Sequence, residues 1–269
     1  MTPQTAPEKH IWIQWFAGFM DGDGCILVYK DHVSMEITTA LEDESVLYEI
    51  KKYYGGSVRA RSNAKAVRWR SRKKDVVVRI LHEINGLLQN TIRRAQFKAA
   101  CVFYGIDAKP CVDLTALSPS YYAGLFDADG TIVLSISIKD KTLHNLKGNY
   151  GKAERLLGSR GANQVGIKFT NKYKQNVEIF QKYFKFGYLC HEQHAMHPKW
   201  NWFVEKASVH AFINILQSYP LKSTQKRRRL HLLKKYFELK DIKAHLAEKH
   251  TKSWHEWKRF CYTWYGLEI

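Results

Sequence analysis

The chain has 269 residues, 45% of them apolar and 13% aromatic, which excludes a disordered polymer and allows one large domain or two of ordinary size. Lys and Arg number 43 against 25 Asp and Glu, a formal charge of +18 that points to a polyanionic partner, nucleic acid before any other. Five cysteines with no Cys-x-x-Cys pair fit free thiols in a reducing compartment, and no apolar run approaches the ~18 residues of a membrane span. Residues 1–9 show neither a signal-peptide core nor an Arg-rich transit pattern, so the expectation is a protein made where it works or one that has lost a leader.

In chain order, an apolar helix ending near Gly24 is followed by predicted strands at 25–31 and 33–40. The second alternates cleanly, with Val33, Met35 and Ile37 on one face and Ser34, Glu36 and Thr38 on the other. Residues 43–54 read as a helix with Val46, Leu47, Ile50 and Tyr53 on its apolar side, stopped by Gly55-Gly56. A hairpin is predicted at 57–62 and 67–72, then helices at 75–88 and 93–104. The second half repeats this order: strands near 131–138 and 164–171, a helix at 175–184, a hairpin over 187–204, and helices near 207–218 and 223–239. The Lys-, Gly- and Asn-rich stretch 139–163 is predicted to be a long basic loop, and 106–118 a linker punctuated by Pro110 and followed by Pro119. Past Leu239 the chain has no counterpart in the first half, and Trp254, Trp257, Cys261 and Trp264 can line one face of a docking helix.

One phrase occurs twice. Phe16-Ala17-Gly18-Phe19-Met20-Asp21-Gly22-Asp23-Gly24 returns as Tyr122-Ala123-Gly124-Leu125-Phe126-Asp127-Ala128-Asp129-Gly130, and each copy leads directly into a β-branched, aliphatic run. Small residues about one helical turn apart let a second backbone approach closely, and the obvious partner is the same surface of the other copy. Two helices so packed bring their C-terminal ends together, each carrying an acid, Asp23 or Asp129. Carboxylates are disfavoured there, because unpaired carbonyls already concentrate negative potential. A divalent cation removes the conflict: carboxylates and main-chain carbonyls are hard oxygen ligands suited to Mg²⁺ or Ca²⁺. A single Asp-x-Asp-Gly could be no more than a helix stop and turn, and an EF-hand fits poorly because Cys25 and Thr131 fall where further ligands belong.

These phrases strongly resemble the motif of the LAGLIDADG homing endonucleases, in the single-chain, two-motif branch. The resemblance covers residues 12–239. It implies an α+β fold of two pseudo-symmetric αββαββα subdomains, with antiparallel sheets forming a DNA-binding saddle and the motif helices at the central interface. The corresponding division is 10–105, a linker at 106–118, 119–239, and a C-terminal helical extension at 240–269. It further implies that Asp23 and Asp129 hold the catalytic metal, Mg²⁺ with Ca²⁺ or Mn²⁺ as substitutes, beside the carbonyls of Gly22 and Ala128. Asp21 and Asp127 take a structural role. The family places a basic residue near the start of each last helix, here Lys226 and Arg93, with Arg94 as the near alternative to the latter. Arginine is a departure from the usual lysine, and it stays charged, so it could donate hydrogen bonds but not act as a base. Polar residues at the ends of the second strands, Thr39 and Asn171, correspond to the family's water-ordering positions.

Alternation in 57–61 and 67–72 puts Arg59, Arg61, Arg68, Arg70 and Arg72 on one sheet face. Like charges on neighbouring strands repel, so this is a poor arrangement in solvent and a favourable one against phosphates or guanine edges. Glu36, Thr38, Ser135, Ser137, Lys168 and Thr170 should share this DNA-binding face, joined through register by Tyr29 and Asp31. Cys190, His191, His194 and His197 suit zinc by residue type, but their spacing matches no common finger.

The expected function is that of a monomeric, pseudo-twofold, Mg²⁺-dependent double-strand DNA endonuclease of intron homing, leaving staggered ends with 3′ overhangs. An organelle-encoded setting, in chloroplast or mitochondrion, is implied by the same resemblance. The rival expectation is an RNA maturase, a splicing cofactor for intron RNA built on the same scaffold.

Overall fold

The computed structural model describes residues 5–62, 64–137, 145–194 and 196–268. Packing divides the chain into two compact units, Met1–Thr131 with Lys168–Gln225, and Ile132–Ile167 with Lys226–Ile269. Among the described residues no helix is long and apolar enough to cross a membrane.

The first half reads α1 (Ala6–Asp23), β1 (Gly24–Val28), β2 (Val33–Ala40), α2 (Glu44–Tyr54), β3 (Ser57–Ala60), β4 (Ala66–Ser71), α3 (Lys74–Glu83) and α4 (Thr91–Tyr104). A capping box starts α1: Thr5 accepts from the Glu8 amide, and the Glu8 carboxylate accepts from the Thr5 amide at 2.8 Å. The second half reads α5 (Pro119–Asp129), β5 (Gly130–Ile136), α6 (Gly148–Gly158), β6 (Asn163–Asn171), α7 (Lys174–Phe184), β7 (Tyr188–Glu192), β8 (Lys199–Phe203), α8 (Val209–Ser218) and α9 (Thr224–Asp241), with α10 (Lys252–Trp264) beyond it. The sheets have matching topologies, β1-β2-β4-β3 and β5-β6-β8-β7, each a four-stranded sheet with helices, as the α+β reading requires. In the first sheet Ile37 pairs opposite Trp69 and Val58 opposite Trp69, so the apolar alternation of three strands lands on one side. Trp69 and, in the second sheet, Trp202 and Phe169 are fully buried there.

Four expectations change. The first strand stops at Val28, not at 31: Tyr29 donates its amide to the His32 carbonyl at 2.8 Å, and a tight turn follows. The helix expected over 75–88 ends at Glu83, with Gly86 at φ +88° in the turn beyond it. The stretch 139–163 is not simply a loop. Residues 138–144 lie outside the described residues, but α6 forms further on, because Gly151, Ala153 and Leu156 are buried and the helix packs on α10. Its low intrinsic propensity is overridden by that packing. On α10 itself the docking face is Trp257, Phe260, Cys261 and Trp264, whereas Trp254 stays half-buried.

From Trp12 in α1 and from Ser120 in α5 nearly every residue is buried, the polar Gln14, Asp21, Ser120 and Asp127 included, so both helices are enclosed on several sides. They pack in parallel and backbone to backbone. A Cβ on Gly18 would run into the Tyr121 carbonyl and the Leu125 amide, and one on Gly124 into the Trp15 carbonyl and the Phe19 amide. A Cβ on Gly22 would strike the Ala128 side chain. Gly18→Ala and Gly124→Ala are each expected to cost about 1–3 kcal/mol of stability by overpacking, read as a lower midpoint in urea denaturation with an unchanged slope.

Candidate functional site

The helix pair ends in the two motif acids. Asp23 and Asp129 are the last residues of α1 and α5, and the following Gly24 and Gly130 return their amides to the carbonyls of Met20 and Phe126. Contact between Gly22 and Ala128 puts both termini at the same end of the pair. Neither last turn carries a basic residue, so two carboxylates join two sets of helix-terminal carbonyls.

The earlier acids point inward. Two residues along a helix is about 200° of rotation, so Asp21 and Asp23 cannot share a face, nor can Asp127 and Asp129. Asp21 is fully buried; one carboxylate oxygen accepts from the Gln89 amide (2.6 Å), the Asn90 amide (3.2 Å) and the Tyr121 hydroxyl of α5. Asp127 is 3% exposed and accepts from Trp15 Nε1 of α1 (2.9 Å) and the amides of Lys222 (2.8 Å) and Ser223 (3.0 Å). Each acid thus crosses the helix pair and also caps the segment leading into the last helix of its own half.

This pattern sets the register between halves. Three residues after Asn90 comes Arg93, and three residues after Ser223 comes Lys226, in the first turn of α9. Arg93 donates to the Gly22 carbonyl (3.3 Å) and to Gln96 (3.2 Å), so it is Arg93 that reaches the end of α1, while Arg94 lines a separate cleft with Cys111 and Lys109. The Ser223 hydroxyl donates to Asp43, and the Thr224 amide does so at 2.8 Å, which supplies the start of α9 with a cap from the first half. Lys222 pairs with Glu49 at 2.6 Å over the rings of Trp12 and Trp15. Neither Asp43 nor Lys222 carries a motif signal; their meeting is a tertiary fact.

The arginine face forms as alternation requires, with one change. Arg59 stands opposite Arg68, Thr38 opposite Arg68, and Glu36 opposite Arg70. Arg59, Arg61 and Arg72 are exposed, as is Tyr29, which sits past β1 and stacks on His32 at 4.7 Å. Glu36, expected to contact DNA, is only 7% exposed and is engaged within the face: Arg68 Nη1 lies 2.9 Å from one oxygen and Arg70 Nε 2.6 Å from the other, with Ser34 donating at 3.2 Å. Burial alone would raise its carboxyl, but the Arg70 hydrogen bond and both guanidinium charges outweigh this and hold it below its ordinary value. Glu36 is an internal counterion that orders two arginines.

On the second sheet Lys168 and Thr170 share a face, Lys168 3.7 Å from Glu192 and Thr170 donating to Asn201 at 2.6 Å. Asn201 donates in turn to Glu192 at 2.9 Å, and Lys199 pairs with Glu192 at 3.2 Å. Glu192, Lys199 and Asn201 escaped the sequence reading, although period-two parity along 188–192 and 199–203 carries the signal. Ser135 is exposed on β5, and Ser137 lies just past its end, donating its amide to the Ala162 carbonyl. Thr39 and Asn171 fall elsewhere. Thr39 has the parity of Ile37, facing the helices, and Asn171 accepts from the Tyr173 amide (3.1 Å) and Asn176 (3.2 Å) at the start of α7. Strand parity places both on the side opposite the basic faces.

The donor set at the helix ends fits a hard divalent cation: carboxylates and main-chain carbonyls, with no basic residue in either last turn. Among the described residues no three His, Cys, Asp or Glu side chains cluster as a metal cage, which includes Cys190, His191, His194 and His197. A cation at the helix ends would therefore complete its shell with water and phosphate oxygens, the habit of Mg²⁺.

Two like sheets and two acid-tipped helices packed through glycines define a pseudo-symmetric, two-motif protein with basic sheet faces. A family model described as LAGLIDADG endonuclease matches residues 16–104. The chain is 33% identical over 253 residues to the intron-encoded RNA maturase bI4 of Saccharomyces cerevisiae, covering 93% of this chain and 36% of that protein, so it spans about a third of that relative's length. It is 26% identical to the intron-encoded DNA endonuclease ai2b of Dictyostelium discoideum, covering 95% of this chain and 90% of that one. The fold matches that of the LAGLIDADG meganuclease I-AabMI, solved bound to uncleaved DNA, with a TM-score of 0.66 at 17% identity over 96% of this chain and 99% of that one. The chain belongs to the LAGLIDADG homing endonuclease family, in the branch that carries both motifs in a single chain.

Burial pushes the Asp21 carboxyl up from 3.8 to about 6, against the hydrogen bonds from Tyr121, Gln89 and Asn90 and the charge of Arg93. The folded chain keeps this proton to higher pH than the unfolded chain does, so the stability it contributes is present below the ordinary value and is lost as pH rises through about 6. Urea denaturation of wild type and Asp21→Asn between about pH 4 and pH 7 should show the wild type's relative stability falling by roughly 2–3 kcal/mol as pH rises. A difference that widens in favour of wild type with rising pH would contradict this ionisation.

Proposed function

We propose that this protein is a sequence-specific double-strand DNA endonuclease of intron homing, with one catalytic half per strand. The observation that carries the reading is the pair of motif helices ending side by side in Asp23 and Asp129, in a chain whose sheets present arginine- and lysine-bearing faces. Subdomains 10–105 and 119–239, joined by 106–118 and followed by 240–269, are the functional halves and the extension. Asp23 and Asp129, with the carbonyls of Gly22 and Ala128, hold Mg²⁺, for which Ca²⁺ or Mn²⁺ can substitute in binding. The metal, when bound, supplies water activation and charge stabilisation at the cut phosphate. Arg93, permanently charged and already bonded to the Gly22 carbonyl, offsets negative charge at one helix end; Lys226 takes the matching place in the second half. Arg59, Arg61, Arg68, Arg70, Arg72, Thr38, Tyr29, Ser135, Ser137, Lys168 and Thr170 meet the duplex. The products are staggered ends with 3′ overhangs, and the gene sits in an organelle intron.

A second reading is favoured by one finding. The yeast relative that matches 93% of this chain is named an RNA maturase, which supports intron RNA as a partner of this chain as the alternative to DNA cleavage.

The test is cleavage of a randomised DNA library with Mg²⁺, with the products sequenced. Asp23→Asn and Asp129→Asn should each reduce double-strand cutting at least ~100-fold while binding stays within a few-fold. Chelation with EDTA should abolish cutting by the wild type. Undiminished double-strand cutting by both Asn variants would overturn the assignment. Phosphate contacts release counterions, so the logarithm of DNA affinity should fall linearly with the logarithm of salt, and Arg59→Gln should make the slope shallower by about one.

A further inference from the structure

The unit Ile132–Ile167 with Lys226–Ile269 carries 18 Lys and Arg against 7 Asp and Glu, the larger share of the chain's net charge in much the smaller part of its length. Its α10 is two-faced. One face, Trp257, Phe260, Cys261 and Trp264, is buried and completes the docking of the helix. The other presents Trp254, Lys258 and Tyr262 at four-residue spacing, none of them buried, in line with His250 just before the helix.

These side chains form one surface. Lys258 Nζ lies 5.5 Å from the Trp254 ring and 5.6 Å from the Tyr262 ring, a cation between two aromatics. His250 approaches Trp254 at 5.7 Å, and Tyr150 of α6, 55% exposed, meets Tyr262 edge-on at 6.0 Å. The Tyr262 hydroxyl is anchored to Glu154, which fixes the ring. Because the docking face of α10 is already filled by other aromatics, folding does not require this outer row.

A row of rings with a cation set between two of them, on the more basic unit of the chain, matches a ligand with flat π-faces joined by phosphates. A duplex hides its base faces within the stack, whereas unpaired RNA splays them out. We propose that the outer face of α10, with Tyr150 of α6, binds an unpaired RNA strand. The proposal rests on the second reading above and assigns RNA a surface that none of the sheet-face residues supplies.

The test uses the full chain, a fluorescein-labelled oligouridine RNA and the matched oligodeoxythymidine, read by anisotropy. Wild type should bind the RNA more tightly than the DNA strand. Trp254→Ala with Tyr150→Ala should weaken RNA binding roughly tenfold or more. Trp254→Phe should restore most of the affinity, and Mg²⁺-dependent cutting of the DNA library should stay at the wild-type level throughout. Failure of the wild type to bind RNA would overturn the RNA reading and this proposal together. RNA binding that survives the double alanine variant would overturn the surface assignment alone, as would equal affinity for the two oligonucleotides.

Discussion

The approach of two helix backbones at Gly18 and Gly124 is the constraint on which the rest of this molecule depends. With main chain against main chain, no side chain fits between α1 and α5 at those positions. Polar groups on the pair must therefore find partners within it or on the elements around it. Asp21 and Asp127 do both at once. Each is desolvated, a costly state for a carboxylate, and each is compensated by three hydrogen bonds, one from the other motif helix and two from amides ahead of the last helix of its half. The first acid of each motif is thus a strut, and helical rotation turns the second, two residues on, away from it. That division of labour is the physical meaning of the Asp-x-Asp spacing.

The sheet faces show how a strongly basic protein arranges its charge without tearing its strands apart. Arg68 and Arg70, two residues apart on one face of β4, repel, and Glu36 of the neighbouring β2 sits between them, held ionised by the guanidiniums it orders. Glu192 has the same office on the second sheet, between Lys168 and Lys199. Internal counterions of this kind restrict the rotamers of the cations around them, so those cations are held oriented, and any polyanion they met would be bound at smaller entropic cost than by a mobile lysine fringe.

Much of this was legible in the residues. The duplicated phrase marked two halves, the small residues marked the faces that touch, and alternation over 33–38 and 67–72 named the basic face. Boundaries set by local chemistry, such as Gly55-Gly56 after α2, came out where expected. What failed did so for physical cause. The helix at 148–158 has poor intrinsic propensity and exists because α10 covers it. Glu36 looked like a surface residue from parity alone, and burial by Arg68 and Arg70 could not be read from the strand that bears it.

From the sequence alone follow the family, the two halves, the acids that end each motif and the basic alternation of the strands, because these reside in residue types at fixed short spacings. Tertiary structure decided the rest: that Arg93 and not Arg94 reaches the end of α1, that Thr39 and Asn171 turn away from the basic faces, and that α10 has a filled side and an open one. Those outcomes depend on which distant segments meet, and a meeting between residues a hundred positions apart leaves no mark in the local pattern of either.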